Sequence, residues 1–252
     1  MKITIERKDL LKGLQRVQGV VEKRNTLPVL SNILLTAENG TLSIFATDME
    51  TAVLGVYPAE IQKEGKTTLS ARKIYEIAKE LPDGPLTLFQ TENQWVQIEA
   101  GKSRFKVAAL PADDFPLVPE MKEEVSIKVP AKILSELFRK TVFAVGENDS
   151  RYILNGLLFN LQIQGDKTVL RFVGTDGHRL AVAEREGLEI SFPGGGKEER
   201  KDIQAVVPKK AIFEMKKLLE EGEEDLQISF AKTQVLLKKT GFSLHSRLME
   251  GS

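Results

Sequence analysis

The sequence lacks several residue types on which common kinds of functional site depend. It has no cysteine, which excludes disulfide bonds and thiolate metal ligands, and its only histidines, His178 and His245, lie far apart in the chain. It has no apolar run long enough to cross a membrane, and its N-terminus alternates like a strand instead of carrying a signal-peptide core. We therefore expect a cytoplasmic protein without a metal site or a cofactor.

One order of elements recurs along the chain: a short strand, a helix and three further strands. Alternation of apolar residues predicts the strands, and turn residues such as Asn39-Gly40 separate them. Helical periodicity, with proline and glycine at the ends, predicts four helices. These helices cover residues 6–21, 71–81, 131–145 and 209–219.

The second half of the chain repeats the first in sequence as well. Ser31–Leu35 corresponds to Asn155–Phe159, and Thr47-Asp48 corresponds to Thr175-Asp176 in the same order. A duplicated domain explains this, so we predict two similar domains, residues 1–121 and 122–252, each made of two βαβββ units. Antiparallel sheets with helices on one face place the protein in the α+β class.

The net charge of the chain is zero, because it has 36 basic and 36 acidic residues. These charges are unevenly distributed along the chain. Basic residues exceed acidic residues in all four predicted helices, and Lys8, Lys12 and Arg16 follow the spacing of one helical face. If the helices share one side of the molecule, that side is basic and attracts phosphate backbones without reading bases. The alternative is a set of ordinary solvated amphipathic helices.

Several motifs make the chain resemble a known family, the bacterial DNA polymerase III beta subunits, which are replicative sliding clamps. The two most specific motifs are Arg151–Gly156, which reads RYILNG, and Thr175–Ala181, which reads TDGHRLA. Thr26–Leu30, Arg104-Phe105 and Leu110–Pro116 also match, so the resemblance spans the whole chain in the family's order.

The resemblance implies a DNA-clamp fold with the helices on the inner face and the antiparallel sheets outside. It implies a processivity factor that encircles duplex DNA at the nucleoid and tethers the polymerase, as a non-catalytic accessory subunit of the DNA polymerase III holoenzyme. The family has three such domains and forms homodimers, and the third domain is absent from this chain. We therefore expect the two-domain chain to be mainly monomeric and to bind DNA weakly.

The resemblance also implies two sets of site residues. A hydrophobic cleft would receive short peptides from the DNA polymerase III alpha subunit, the clamp loader, other polymerases and repair proteins. Its residues in this chain would be Leu154, Thr175, Gly177, His178, Arg179 and Leu180. The expected DNA contacts are Arg24, Arg72, Lys73, Arg139, Lys140, Asn148, Arg151, Tyr152, Lys209 and Lys210.

Two other function classes are compatible with the residues alone. A metal-dependent phosphotransfer enzyme or nuclease could use scattered carboxylates such as Asp48, Asp113 and Asp176. A peptide-binding adaptor would need the cleft and no DNA. The Thr-Asp pairs also have a purely structural interpretation, as corners at the ends of strands.

Overall fold

The duplication seen in the sequence is repeated in the fold. The protein is represented by a computed structural model, which describes residues 1–21, 27–91, 94–117, 121–164, 167–192, 202–219 and 224–250. The chain divides into two units, residues 1–118 and 119–252. This division falls three residues before the boundary expected from the sequence.

The first unit contains two βαβββ segments joined by a short extra strand. Its elements are β1 (Lys2–Glu6), α1 (Arg7–Val17), β2 (Asn32–Glu38), β3 (Thr41–Thr47), β4 (Thr51–Pro58), β5 (Glu60–Lys63), β6 (Gly65–Ser70), α2 (Ala71–Glu80), β7 (Pro85–Thr91), β8 (Trp95–Ala100) and β9 (Ser103–Leu110). Within the unit, antiparallel pairing gives the strand order β4-β3-β2-β6-β9-β8-β7-β1-β5.

The second unit repeats this order of elements. They are β10 (Val125–Val129), α3 (Ala131–Thr141), β11 (Gly156–Gln164), β12 (Lys167–Thr175), β13 (Leu180–Glu186), β14 (Glu189–Ser191), β15 (Ile203–Pro208), α4 (Lys209–Leu219), β16 (Leu226–Ala231), β17 (Gln234–Lys239) and β18 (Phe242–Arg247). One sheet of this unit has the order β13-β12-β11-β15, and the other has the order β14-β10-β16-β17-β18. The predicted α+β class, with two βαβββ segments in each half, is confirmed.

The sequence did not predict strands β5 and β14. They occupy equivalent positions in the two units, and each pairs with the first strand of its unit, through Ile3↔Ile61 and Ile127↔Ile190. Both strands are short, with four and three residues, and so carry too little alternation to be recognised.

The two helices of the first unit lie side by side and antiparallel. At one end, the Arg7 guanidinium donates to the Ala78 and Lys79 carbonyl oxygens at 2.8 and 2.7 Å and pairs with Asp83. At the other end, the Gln18 amide donates to the Ala71 carbonyl oxygen at 3.3 Å. Arg7, a basic residue of the first predicted helix, therefore holds the helix pair together.

The helices bury one face against the sheets and expose the other. In α1, Leu10, Leu14 and Val17 are buried, whereas Lys8 and Lys12 are exposed. The approach to the sheet is close at a glycine: a Cβ added at position 13 would lie 2.5 Å from the Ile44 Cδ1 atom. In the second unit, α3 and α4 bury their apolar faces in the same way.

Two helices end earlier than the sequence predicts. Helix α1 ends at Val17 instead of residue 21, and α3 ends at Thr141 instead of residue 145, where a 3₁₀ turn, Val142–Ala144, follows. The Thr141 hydroxyl donates to the Leu137 carbonyl oxygen at 2.7 Å, a local bond that favours bending near a helix end. β-branched residues and Gly19 at these positions also have low helix propensity.

The core of the second unit contains a cluster of phenylalanine rings. Phe159 and Phe172 stack with ring centroids 4.0 Å apart, and Phe138 of α3 lies 5.3 Å from Phe172. All three side chains are fully buried. The cluster fastens α3 to β11 and β12, the strands that carry the candidate site. No helix among the described residues has the length and apolar character needed to cross a membrane.

Candidate functional site

A hydrogen-bonded corner follows β12 and places part of the predicted peptide cleft. The Gly177 N–H donates to the Thr175 hydroxyl oxygen at 3.1 Å, and that hydroxyl donates to the Arg179 carbonyl oxygen at 2.8 Å. The Asp176 carboxylate accepts from the His178 and Arg179 N–H groups, both at 3.0 Å. The backbone bond from His178 is the main reason that the pKa of Asp176 is lowered.

The first unit contains the same corner after β3. The Met49 N–H donates to the Thr47 hydroxyl oxygen at 3.0 Å, and the hydroxyl donates to the Thr51 carbonyl oxygen at 3.0 Å. The Asp48 carboxylate accepts from the Glu50 and Thr51 N–H groups. Asp48 and Asp176, named above as carboxylates of a possible enzyme, therefore each hold a turn. Among the described residues, no group of three acidic or histidine side chains could hold a metal ion.

The Arg151 side chain crosses the corner of the second unit. Its guanidinium binds the Asp149 carboxylate at 2.9 Å and donates to the Asp176 carbonyl oxygen at 3.1 Å. The side-chain hydrogen bond from Arg151 lowers the pKa of Asp149 to about 2. The loop that contains Asn148, Arg151 and Tyr152, predicted to contact DNA, is thus joined directly to the corner that was predicted to bind peptides.

Glycine at position 177 suits this crossing for two reasons. Its φ of +84° lies in the left-handed region, and a Cβ there would lie 2.7 Å from the Arg151 Nη1 atom. Met49 occupies the equivalent position of the first unit with a φ of 78°. The backbone conformation alone therefore does not require glycine, and the space taken by Arg151 is the additional reason for it.

Gly177→Ala is expected to destabilise the second unit more than Gly187→Ala does. Gly187 has a φ of +78° and open space around its Cβ position. Alanine there should lower the free energy of unfolding only by the cost of a left-handed backbone, about 1 kcal/mol. At Gly177 the same cost applies, and the added Cβ also displaces Arg151. Chemical denaturation of both variants measures the difference. It should vanish in an Arg151→Ala background, and a difference that persists there would contradict the role given to Arg151.

A cavity of about 810 Å³ lies in the second unit beside this corner. Leu154 and Thr175, two of the predicted cleft residues, line it. Its other lining residues were not predicted from the sequence; they are Ile153, Gly156, Leu158, Val173, Gln204, Ala205, Val206, Lys232, Thr233, Gln234, Arg247, Leu248, Met249 and Glu250. Met249 closes one wall, because its N–H donates to the Val206 carbonyl oxygen at 2.9 Å.

The outward face of the β13-β12-β11-β15 sheet provides an apolar row at this cavity. The register aligns Val182, Val173, Leu158 and Val206 on successive strands, so their side chains share one face. Leu180 is paired with Thr175, one of the cavity residues, and is 67% exposed. The apolar surface therefore extends from the cavity to Leu180. Its sequence signal was the unbroken apolar pair Leu157-Leu158, since neighbouring residues of a strand point to opposite faces and this pair makes both faces of β11 apolar.

His178 and Arg179 line a different cavity, of about 570 Å³, together with residues of α3 and α4. The six predicted cleft residues are thus divided. Leu154 and Thr175 line the first cavity, Leu180 extends its surface, and Gly177 forms the corner. His178 and Arg179 lie on the side of the corner that faces the helices.

Some of the predicted DNA-contact residues have exposed side chains, and others are paired with carboxylates. Lys73 and Arg139 are exposed on their helices. Arg72 pairs with Glu76 and Lys140 pairs with Glu136, each at 2.7 Å and one helical turn away. The bond from Lys140 is the main cause of the lowered pKa of Glu136.

The remaining predicted contacts lie near the start of α4 and in the loop before β11. Lys209 is largely covered and lies 3.6 Å from the Glu147 carboxylate, while Lys210 is half-buried. Asn148 adopts a left-handed backbone, and Tyr152 is 64% exposed. Arg24 lies outside the described residues.

Comparison with known proteins gives consistent matches over the whole chain. Residues 1–119 match the model of the DNA polymerase III beta subunit N-terminal domain, and residues 128–252 match that of its central domain. The chain is 40% identical to the beta sliding clamp of Caulobacter vibrioides over 256 residues and 36% identical to that of Escherichia coli K12 over 252 residues. These alignments cover all of this chain and 66% and 65% of the relatives, so the chain spans slightly under two thirds of their length.

Solved structures agree with these matches. The DNA polymerase sliding clamp from Caulobacter crescentus superposes with a TM-score of 0.89 at 39% identity, covering 100% of this chain and 66% of that one. A sliding clamp from Pseudomonas aeruginosa bound to griselimycin gives 0.88 at 38% identity, with 100% and 65% covered. The fold is therefore that of the sliding clamps. The chain belongs to the DNA polymerase III beta subunit family.

Proposed function

We propose that this chain is part of a sliding clamp that encircles duplex DNA without sequence specificity and makes a DNA polymerase processive. The observation that supports it most directly is that helices of both units expose basic residues. Lys8 and Lys12 on α1, Lys73 on α2 and Arg139 on α3 are exposed, while the apolar faces of the same helices are buried. In a ring with the helices inside, these charges would meet phosphates.

The physical role of such a clamp is to replace dissociation by sliding. Lysine and arginine gain affinity for phosphates through counterion release, which carries no sequence information and so does not fix the position of the protein along the duplex. A polymerase bound to the ring stays at high effective concentration near the primer end. The clamp itself is proposed to be a non-catalytic accessory subunit of the DNA polymerase III holoenzyme.

The first cavity, with its apolar row and Leu180, is proposed as this chain's part of a cleft for partner peptides. The partners would be the DNA polymerase III alpha subunit, the clamp loader, and other polymerases and repair proteins. The cavity of about 810 Å³ lies within the size range of ligand pockets, and its apolar row would receive apolar side chains of such a peptide. We place the protein in the cytoplasm at the nucleoid, as a homodimer at the full length of its relatives and as a monomer at 252 residues.

Retention on circular DNA tests this function. A version extended to the full length of the relatives is loaded onto nicked circles by the clamp loader. It should remain bound in high salt and leave once the circle is cut, because its attachment is topological. The 252-residue chain serves as the control: we expect it to bind weakly and to dissociate from circles and linear DNA alike as salt is raised. Equal loss of the extended protein from both forms of DNA would refute the proposal.

A further inference from the structure

The second cavity combines exposed aromatic rings with cationic side chains. It lies in the second unit, between the end of α3 and the first two turns of α4, and has a volume of about 570 Å³. Phe143 is 59% exposed and Phe213 is 45% exposed, and both line it. Phenylalanine is usually buried, so two exposed rings at one cavity form a surface suited to an aromatic ligand.

Cations lie over both rings. The Arg179 guanidinium carbon is 5.7 Å from the centroid of Phe143, and the Lys209 and Lys216 amino groups are 6.0 and 5.9 Å from that of Phe213. These distances are within the range of cation–π attraction. Lys209, Phe213 and Lys216 share one face of α4 because of their spacing. The rings are thus bordered by cationic groups, of which Arg179 and Lys209 also contact carboxylates.

The acidic groups around this cavity are already paired. Asp149 binds Arg151 at 2.9 Å, Asp176 binds Arg179 at 2.9 Å, and the Glu147 carboxylate lies 3.6 Å from the Lys209 amino group. These pairs reduce the repulsion that an incoming anion would meet. Arg139 and Lys216, which also line the cavity, add positive charge.

We propose that this cavity binds an unpaired nucleotide of single-stranded DNA. The base would stack on Phe143 or Phe213, and its phosphate would contact Arg139 or Lys216. A duplex cannot use the rings in this way, because its base faces are covered by their neighbours, whereas a single strand can turn a base outwards. The proposal rests on the proposed function, in which the helices contact DNA. It adds that the second cavity binds single-stranded DNA.

Fluorescence anisotropy of the 252-residue chain at low salt tests the proposal. The probes are labelled oligo-dT and a labelled hairpin duplex, and the variants are Phe143→Ala and Phe213→Ala. At least one variant should bind oligo-dT about tenfold more weakly. Neither should change duplex binding more than about twofold, because stacking makes no contribution there. The matched control is Trp95→Ala. Trp95 is also exposed and has the Lys106 amino group 4.9 Å from its ring centroid, but it belongs to the first unit and does not line the second cavity.

Two further measurements separate stacking from a general effect on folding. Phe143→Leu and Phe213→Leu keep the apolar bulk without a π face, so the residue that matters should lose oligo-dT affinity as leucine too. Photocrosslinking to oligonucleotides that contain 5-iododeoxyuridine should mark Phe143 or Phe213. Wild-type affinity in all four variants, or a crosslink only elsewhere, would overturn the proposal. Duplex binding without oligo-dT binding would overturn it and leave the clamp function intact, whereas binding of neither DNA would count against both.

Discussion

Phe172→Ala is expected to lower the free energy of unfolding of the second unit by about 3–5 kcal/mol. The Phe172 side chain is fully buried, stacks on Phe159 with centroids 4.0 Å apart, and lies 5.3 Å from Phe138. Its truncation removes buried apolar area and leaves a cavity between α3 and β12, which two neighbouring rings cannot fill by small movements. Denaturant titration, followed by a probe in each unit, measures the loss.

The same substitution at an exposed ring provides the control for Phe172→Ala. Phe213 lies in the same unit and is 45% exposed, so Phe213→Ala should cost less than about 1 kcal/mol. This comparison also shows whether the Phe213 variant is folded when its oligo-dT binding is measured. If Phe172→Ala were as mild as Phe213→Ala, the ring cluster would not be the core of the second unit.

Val173→Asp is expected to weaken the binding of a partner peptide about 100-fold in the full-length form of the protein. Val173 lies in the middle of the apolar row, between Leu158 and Val182, and lines the first cavity. An apolar peptide that covers the new carboxylate would remove it from water without supplying a partner, which is costly. Isothermal titration with a clamp-binding peptide from the DNA polymerase III alpha subunit measures the change.

Two variants serve as controls for Val173→Asp, one for the added charge and one for a change of side chain at position 173. Leu117→Asp adds the same charge at a position in the first unit that is 76% exposed, and it should leave peptide affinity unchanged. Val173→Thr nearly preserves the shape of the side chain and adds a hydroxyl group without a charge, so it should weaken binding much less than Val173→Asp. If Leu117→Asp were as harmful as Val173→Asp, a general effect of charge would be responsible, and the first cavity would not be the peptide site.

The sequence predicted the repeated order of elements because the alternation of its strands and the helical periodicity of its helices are both strong. Lys8 and Lys12 are exposed, as their spacing on one helical face indicated. Arg16 was assigned to the same basic face, but it is half-buried and donates to the Tyr57 hydroxyl oxygen at 3.0 Å. Spacing shows which side chains share a face, but it cannot show which of them reaches a partner on a distant strand.

The candidate site was predictable only where a motif marks it. The Thr-Asp pairs predicted the corners in both units, and the structure confirms this structural interpretation through equivalent hydrogen bonds at Thr47 and Thr175. The wall formed by Val206 and Met249 was not predicted, because it depends on a hydrogen bond between residues far apart in sequence. The separation of His178 from Leu154 into different cavities likewise depends on how the corner is folded.

The bridge that Arg151 makes has a thermodynamic consequence. Its guanidinium joins a loop to a strand end 25 positions away in the chain. A ligand of that loop that attracts the Arg151 side chain must break its bonds to Asp149 and the Asp176 carbonyl, so its net affinity is lower than its own contacts would give. By linkage, a second ligand that strengthens the Arg151 bridge would weaken the binding of the loop ligand, and the loop ligand would weaken the binding of the second ligand by the same factor.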